Sequence, residues 1–369
     1  MVPGLYRSNS FDTGINTQFK TGPVQHQLAL NASQAVRKTY SDGSGDWHAF
    51  TPLNHSRNIY DLDFLDRPNN IPRRPDLNRR TQDNKLLSYG IADTLSILND
   101  KVQLTLGVRY QSVDNAAYSA TTGERTASSY KASTTTPAAA LLFRVNDTLS
   151  LYGNYTEGLS AGSRAPDTAT NAGQVFPPYK TKQQELGLKF DLGGFATTVS
   201  AFEIKRPSAY TDPVTNVYSV AGEQRNRGLE LNIFGEPRSG LRTLGGLTWT
   251  DAKITKTANG VNEGNTAVEV PKIVVKLGVE YDLAFVPGVT LTANAIHTGK
   301  KYINQTNTLS IPSWERYDIG ARYTTKIAHY PLTLRANIIN VANKSYWQGS
   351  LWRGVGDPRT FNLSATMDF

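Results

Sequence analysis

The feature of this sequence that most constrains its fold is an alternation of apolar and polar residues, with a period of two, along almost the whole chain. In the last such segment, Phe361, Leu363 and Met367 alternate with the polar residues Asn362 and Ser364. Successive side chains of a β-strand point to opposite faces, so the pattern predicts a strand with one apolar and one polar face. The same pattern recurs in segments 102–110, 229–233, 273–281, 317–323 and 332–338.

These segments predict about fifteen strands of about ten residues each. The predicted strands start near residues 11, 24, 81, 101, 133, 148, 181, 195, 217, 242, 270, 288, 314, 331 and 359. Alternation alone would also fit a soluble sheet with one wet face. Strand length favours a membrane protein, because tilted strands of about ten residues cross a bilayer whereas soluble strands usually have about 5–6. The strand near residue 133 is the weakest prediction, because Pro137 has no N–H to donate to a ladder.

The predicted connections alternate strictly between short and long. Short connections are expected at 20–23, 98–100, 145–147, 192–194, 236–240, 283–287 and 326–330, and long ones at 37–80, 112–132, 159–180, 206–224, 255–268, 301–313 and 342–358. Outer-membrane barrels have short periplasmic turns and longer extracellular loops. The sequence therefore predicts an all-β fold, a transmembrane antiparallel β-barrel.

Composition and charge exclude several other classes of protein. No stretch approaches about 18 consecutive apolar residues, which rules out a transmembrane helix. The chain has no cysteine and only five scattered histidines, so no metal site is expected. The net charge is +8, but the clearest basic cluster, at Arg73, Arg74, Arg79 and Arg80, lies in a Pro/Asn-rich stretch and does not predict nucleic-acid binding. A basic surface also suits anionic outer-leaflet lipid or an anionic ligand.

Several segments together resemble the TonB-dependent outer-membrane receptors, and the ferric-siderophore branch is the most similar. The C-terminal signature of that family resembles INVANKSY at 339–346 followed by GDPRT at 356–360. Further similar segments lie at 152–158, 179–189, 227–231 and 270–272, and the resemblance covers roughly residues 81–369. Each motif is weak alone, whereas their order and spacing are specific.

The resemblance implies a barrel of about 22 strands whose lumen is closed by an N-terminal plug domain. Only about fifteen strands are predicted here, with no plug and no signal peptide, so residues 1–369 are expected to be the C-terminal portion of such a barrel. An open sheet of this size in lipid would leave two unpaired edges. Two readings remain open: the chain is a fragment of a longer product, or its sheet closes into a smaller barrel.

The resemblance also implies a ligand-binding surface in the extracellular loops. Loop aromatics are expected to stack on an iron chelate, and arginines to pair with an anionic one. The candidates are Tyr40, Trp47, Tyr118, Tyr130, Arg164, Phe176, Tyr179, Tyr210, Arg225, Tyr302, Tyr346, Trp347, Trp352 and Arg353. The alternative is that these aromatics fill loop cores or belong to the interfacial girdle. Tyr110, Tyr281, Tyr317 and Tyr323, near predicted strand ends, are better girdle candidates.

The function implied by the resemblance is uptake of a ferric siderophore across the bacterial outer membrane, without bond chemistry. Expected partners are the ferric siderophore, outer-membrane lipid and lipopolysaccharide, and the TonB energy-coupling complex through the missing plug. Iron would enter only as chelated cargo, and no cofactor is expected. One alternative is a passive porin or structural barrel. A minor alternative is an outer-membrane esterase, because Ser160 lies in a G-x-S-x-G segment at 158–162.

Overall fold

The computed structural model describes residues 5–41, 79–119, 122–126, 129–348 and 354–368. Five of the residues singled out above lie outside these ranges: Trp47, Arg73, Arg74, Trp352 and Arg353. Most of the described chain forms antiparallel β-structure, with one short 3-10 turn at Ala258–Gly260. Among the described residues, no helix has the length and apolar character needed to cross a membrane.

The described ranges contain nineteen strands, and fifteen of them form one continuous antiparallel sheet. In chain order the strands are β1 (Leu5–Thr21), β2 (Val24–Ser41), β3 (Arg79–Ile97), β4 (Val102–Ala117), β5 (Tyr130–Arg144), β6 (Leu149–Ser160), β7 (Tyr179–Asp191), β8 (Phe195–Thr211), β9 (Tyr218–Arg238), β10 (Leu241–Lys256), β11 (Ile273–Asp282), β12 (Val289–Thr298), β13 (Lys301–Tyr302), β14 (Ser310–Ile311), β15 (Trp314–Ile327), β16 (Tyr330–Ile339), β17 (Trp347–Gln348), β18 (Gly354–Val355) and β19 (Thr360–Met367). In the sheet each strand pairs with the next, from β1 to β12 and then through β15, β16 and β19. The two-residue strands form two separate ribbons, β13 with β14 and β17 with β18.

The predicted fifteen-stranded sheet is confirmed, and its connections alternate as predicted except at 206–224, where β8 and β9 extend and leave only the short connection 212–217. The observed starts lie within about three residues of the predicted ones except for β1, which begins earlier, at Leu5. The predicted strand length of about ten residues was too short, because β3 has 19 residues and β9 has 21. Both strands continue their hydrogen-bonded ladders into polar sequence, where the apolar alternation used for the prediction fades.

Pro137 lies inside β5 without costing a ladder hydrogen bond. It is in register with Val108 of β4. Pairing between β5 and β6 begins only at the next residue, Ala138, which lies opposite Thr156. The β6 side of Pro137 is therefore a local edge, the position in a sheet where a missing N–H is tolerated.

The strand registers place most of the apolar alternation on a single face of the sheet, with exceptions such as Phe234 and Leu244, which lie opposite each other on the other face. Directly opposed residues share a face, and one row across five strands reads Phe361, Ile338, Ile319, Ala293 and Val279. Large side chains on this apolar face are widely exposed, for example Leu363 at 84%. Exposed apolar surface of this extent fits contact with lipid rather than with water.

The opposite, polar face carries the alternate residues of the same strands. The neighbouring row reads Asn362, Asn337, Gly320, Thr292 and Glu280. Along β12 these residues are one position away from the apolar row, so a shift of one residue would exchange the two faces. The register therefore produces an apolar outer wall and a polar inner wall from one repeated pattern.

One hydrogen-bonded pair of polar side chains, His26 and Asp93, interrupts the apolar face near the short-turn end of the sheet. His26 Nδ1 lies 2.7 Å from Asp93 Oδ2, and the imidazole stacks on Phe19 with ring centroids 4.6 Å apart. The residues directly opposite the pair are Leu95 for His26 and Leu28 for Asp93. Polar groups in apolar surroundings are tolerated when they are hydrogen-bonded, so each member of this pair needs the other.

We expect Asp93→Leu to lower the free energy of unfolding by about 1–3 kcal/mol, because the imidazole loses its partner in apolar surroundings. The double variant His26→Phe/Asp93→Leu should recover most of that loss, since apolar replacements of a buried pair are often neutral. Urea unfolding of the receptor in lipid vesicles measures both. A double variant as unstable as the single one would contradict this account.

Candidate ligand-binding surface

The described long loops lie at one end of the sheet, and four of them are hydrogen-bonded to each other in two pairs. Loop 161–178 contacts loop 212–217 through a reciprocal pair of hydrogen bonds. Asn171 Nδ2 donates to the Tyr218 carbonyl and the Tyr218 N–H donates to Asn171 Oδ1, each at 2.8 Å. Loop 257–272 is joined to loop 299–313 in the same manner. Asn307 Nδ2 donates to the Thr266 carbonyl at 2.9 Å, and the Thr266 N–H donates to Asn307 Oδ1 at 2.8 Å. These contacts hold the loops in fixed relative positions.

The short loop 212–217 is organised by one carboxylate. Asp212 Oδ1 accepts hydrogen bonds from the N–H groups of Thr215 at 2.9 Å and Val214 at 2.8 Å. These two backbone donors hold the pKa of Asp212 below its ordinary value, because they stabilise the charged form. The turn therefore presents Tyr218 to loop 161–178 in one orientation.

A tyrosine cluster lies where loop 161–178 meets the ends of β5, β7 and β9. The Tyr218 hydroxyl donates to Ser163 Oγ at 2.8 Å, and Ser163 Oγ is also hydrogen-bonded to the Tyr179 hydroxyl. Phe176 packs edge-on against Tyr218, with ring centroids 5.5 Å apart. Tyr130 is 6% exposed and completes the cluster. Tyr130 thus fills the core of the loops, whereas the other rings are only half-buried.

A second cluster surrounds Tyr346, between β15 and the last long loop. The Tyr346 ring stacks on Trp314 with centroids 4.3 Å apart, and its hydroxyl accepts from Arg316 Nη1 at 3.3 Å. Tyr346 is 4% exposed, so it too belongs to a loop core. The next residue, Trp347, lies on the β17–β18 ribbon and is 38% exposed. Trp347 is therefore an aromatic side chain that the second cluster presents to the exterior.

Asn340 holds the last long loop in place. Its side chain donates to the carbonyls of Lys344 and Asp357, each at 2.9 Å, and accepts from the Lys344 N–H at 3.0 Å. The residue is fully buried, and its φ of 53° lies in the left-handed region that asparagine tolerates. Its backbone N–H is bound by Asp318 Oδ1 at 2.8 Å. One side chain therefore ties both ends of the loop together.

Several of the predicted site residues pair locally with cations. Arg7 lies over the ring of Tyr40 at 5.2 Å, and Lys300 lies 4.9 Å from the ring of Tyr302. Arg80 lies 4.3 Å from the ring of Tyr118, and its Nη2 donates to the Tyr118 hydroxyl at 2.8 Å. These contacts are cation–π pairs, and they fix the rings at the rims of their strands.

Five predicted loop residues lie in strands of the sheet instead, which corrects their assignment to loops. Tyr40 belongs to β2, Tyr130 to β5, Tyr179 to β7, Tyr210 to β8 and Arg225 to β9. The strands are longer than their apolar parts, so polar strand ends were taken for loop sequence. Arg225 also lies on the apolar face, because its register partner Lys205 alternates with Ala201. It faces away from the polar inner wall.

Arg164, by contrast, lies in a loop as predicted. It forms a bridge with Val175, and its Nε donates to the Gly173 carbonyl at 3.2 Å. Its guanidinium stabilises the turn of loop 161–178, and its contact with a ligand stays a prediction.

Tyr218 and Trp314 were missed by sequence reasoning, because each lies at the start of a strand where the period-two pattern is still unclear.

The chemistry available at this end of the molecule is aromatic stacking and cationic pairing. Within the described part of the chain, no group of three or more His, Cys, Asp or Glu side chains is placed to hold a metal ion. Ser160 is the last residue of β6, opposite Tyr179, and the irregular loop that follows it contains no helix in its described residues 161–178. A nucleophile elbow requires such a helix directly after the serine.

Known proteins share this architecture. The family model for the TonB-dependent receptor-like β-barrel matches residues 3–341. The ferrichrome receptor FcuA of Yersinia enterocolitica is 38% identical over 96% of the chain and 47% of its own length. The metal-pseudopaline receptor CntO of Pseudomonas aeruginosa is 26% identical over 95% of the chain and 49% of its own length. The chain thus spans about half the length of the curated relatives it matches.

A solved structure agrees with the sequence comparisons. The ferric preacinetobactin receptor BauA of Acinetobacter baumannii superimposes with a TM-score of 0.84 at 43% identity, over 99% of this chain and 55% of that one. The matched strands, the outward apolar face and the alternation of turns and loops are all features of the wall of an outer-membrane β-barrel. The chain belongs to the TonB-dependent receptors and forms part of their β-barrel in the bacterial outer membrane.

Proposed function

We propose that this chain is the barrel-wall portion of a receptor that binds a ferric siderophore at the cell surface and admits it through the outer membrane. The observation that carries the proposal is the locked set of extracellular loops, which presents half-buried and exposed aromatic rings above a polar inner wall. FcuA and BauA are named as receptors for ferrichrome and ferric preacinetobactin, respectively. The two receptors are named for different chelators. Their names therefore support ferric siderophores as the class of ligand and do not identify one compound.

The open sheet supports the proposal that the working receptor contains more than these strands. In the strand order, β1 and β19 lie at the two edges, and the described residues show no pairing between them. Unpaired backbone groups in lipid cost several kcal/mol each, so both edges need partners. We propose that further strands and a plug complete the receptor, that the TonB complex drives transport through the plug, and that outer-membrane lipid and lipopolysaccharide surround the wall.

Two other functions are distinguished by experiment. A passive porin would use the polar inner wall as an open channel, and it would conduct ions in planar bilayers without ligand selectivity. An esterase would use Ser160, whose surroundings lack the helix described above. We propose that the protein is not an enzyme, and hydrolysis that is lost in Ser160→Ala would overturn this.

Trp347→Ala tests the ligand-binding surface directly. We expect the receptor that contains this chain to bind at least one ferric siderophore, from a panel including ferrichrome and ferric preacinetobactin. The substitution should weaken that binding about three- to tenfold, because a stacked indole contributes beyond the area it buries. Binding is measured with ⁵⁵Fe-labelled chelates on purified outer membranes.

Trp249→Ala is the matched control. Trp249 has a similar exposure, 43% against 38% for Trp347, but it lies on the apolar face of β10 opposite Ile273. The control should bind chelate like the unaltered receptor. Binding of no chelate in the panel would contradict the proposed function, whereas equal binding by both variants would remove only Trp347 from the site.

A further inference from the structure

The inner face of strands β1 to β5 is formed almost entirely by short side chains, and we call it the smooth wall. Three adjacent rows of this face cross the five strands, and all of their residues except Arg109 and Gln111 are glycine, alanine, serine, threonine, asparagine or aspartate. A groove of about 420 Å³ runs along these rows, and most of the residues that line it face inwards, among them Ala29, Ala92 and Ala138. The smooth wall therefore leaves room in the lumen.

Arg109 lies in the middle of the smooth wall. It is the eighth of the 16 residues of β4, and it is exposed between Gly90 and Thr136 of the neighbouring strands. Its side chain lies across Gly90, since a Cβ atom at that position would be 3.4 Å from Arg109 Nε. Among the described residues, no carboxylate lies within 4.0 Å of the guanidinium. Arg109 is therefore a cation with donors to spare at half the height of the wall.

The other described strands carry larger side chains on their inner face. On β6 to β9, Tyr152 and Phe202 place their rings over the glycines opposite them, because a Cβ atom on either glycine would lie 2.5 Å from the ring. On β10 and β11, Arg242 pairs with Asp282 at 2.7 Å. The smooth wall thus differs from the rest of the inner wall in having free space and few side chains that could hold an occupant of the lumen.

In the proposed receptor, the lumen holds a plug and also lets the chelate pass. Moving a plug segment away from a wall breaks the contacts between them, and each pair of contacting atoms contributes about 0.1–0.2 kcal/mol. The separation costs least where the side chains of the wall are short and make few contacts. The smooth wall meets that condition, whereas the rings and ion pairs of the other strands do not.

We propose that the chelate crosses the lumen along the smooth wall and that Arg109 contacts it halfway. The inference rests on the proposed uptake of a ferric siderophore, and it adds the route and one contact residue. A ferric siderophore surrounds its iron with oxygen atoms, and a guanidinium donates charge-assisted hydrogen bonds to negatively charged oxygens. A single contact of this kind in a smooth wall attracts the chelate and still releases it, as conduction requires.

Arg109→Gln in the full-length receptor tests the contact. Surface binding of a ⁵⁵Fe chelate, measured in the presence of a protonophore, should keep its dissociation constant within about twofold, because the loops are far from this residue. Energy-dependent uptake at saturating chelate should fall about five- to tenfold, since a charge-assisted hydrogen bond to the passing chelate is lost. Unchanged uptake would overturn the role of Arg109.

Arg335→Gln is the matched control for the loss of one charge from the lumen. Arg335 is exposed on the inner face of β16, opposite Ser364 of β19 and away from the smooth wall. Uptake by this control should stay within about twofold of the unaltered receptor. An equal loss of uptake in both variants would overturn the inference, because it would show that only the net charge of the lumen matters.

Ala92→Trp tests the route by filling the groove. Ala92 faces inwards opposite Gly107, one row from Arg109, and we expect uptake to fall at least about tenfold while surface binding is kept, because the indole narrows the passage. Asn294→Trp is the control, since it adds the same ring at an exposed position on the inner face of β12. Heat-dependent gel mobility verifies that both variants fold. An equal loss of uptake in the two, or a loss in neither, would overturn the route.

Ion conductance separates a route for the chelate from a seat for the plug. If Arg109 held a carboxylate of the plug, Arg109→Gln would loosen the plug and open a conducting pore. We expect the purified variant to be as non-conducting in planar bilayers as the unaltered receptor, and conductance in the variant alone would overturn the inference. Failure of the unaltered receptor to take up any chelate would contradict the proposed function itself, whereas the ratios between variants test the route.

Discussion

Ala293→Arg is expected to destabilise the folded barrel by about 2–4 kcal/mol, the cost of an arginine on a lipid-facing wall near the bilayer midplane. Ala293 lies at the middle of β12, in the row that contains Ile319 and Val279. Its side chain points to lipid, where a guanidinium has no partner. The midpoint of urea unfolding in lipid vesicles, followed by heat-dependent gel mobility, measures the loss.

Asn294→Arg is the control, one residue away on the polar face. Asn294 lies opposite Asp318 of β15, whose carboxylate already pairs with Arg316 at 3.0 Å, so the new guanidinium would lie among polar and charged groups. The cost there should be under about 1 kcal/mol, because substitutions on the inner wall meet water and polar groups. If the two variants were equally stable, or if the inner one were the worse, the assignment of the two faces would be wrong.

Asn340→Ala is expected to destabilise the last long loop by about 3–5 kcal/mol. The substitution removes three hydrogen bonds, to the Lys344 N–H and to the carbonyls of Lys344 and Asp357. A buried group left without its partner costs about 1–3 kcal/mol. Alanine at a φ of 53° adds about 1–2 kcal/mol of backbone strain.

Hydrogen exchange of residues 340–348 and 354–359 measures this local effect, and chelate binding should weaken with it because Trp347 loses its support. Asn343→Ala is the matched control. Asn343 has a similar φ of 50°, but it is exposed and makes a single hydrogen bond, from the Arg359 N–H at 2.9 Å. Its replacement should cost at most about 1–2 kcal/mol. Equal effects at both positions would show that backbone strain dominates over burial.

The sheet could be predicted from the sequence because one local rule generates it. Each strand needs only its own alternation to show which residues face lipid, and the girdle candidates illustrate this. Tyr281 and Tyr323 both lie on the apolar face, 45% and 42% exposed, and Tyr281 is directly opposite Leu291. The short turns could be predicted from the strand ends alone, because the adjoining ends of two neighbouring antiparallel strands can be joined by a few residues.

The loops could not be predicted in the same way, because their order depends on contacts far apart in sequence. Asn171 binds Tyr218, and Asn307 binds Thr266, across separate connections. Neither pair has a local pattern that would reveal it. Buried loop aromatics such as Tyr130 and Tyr346 cannot be told from exposed ones such as Trp347 without those contacts.

Arg225 shows the same limit at a strand end. From the sequence, Arg225 was assigned to a loop that pairs with an anionic chelate. The assignment was wrong because strand ends above the bilayer are as polar as loops. The register shows that it belongs to a row of cations on the outer wall. The period-two rule gives the face of a residue only after the strand is known to extend that far.

The central claim is that this wall belongs to a receptor that imports a ferric siderophore by an energy-coupled route. Uptake of ⁵⁵Fe chelates by iron-starved cells, with and without the gene, tests it most directly. Loss of uptake of one chelate in the deletion strain, restored by the gene and abolished by a protonophore, is the predicted result. Unchanged uptake of every chelate in the panel, or gene-dependent uptake that persists with the protonophore, would contradict the claim and favour a passive pore.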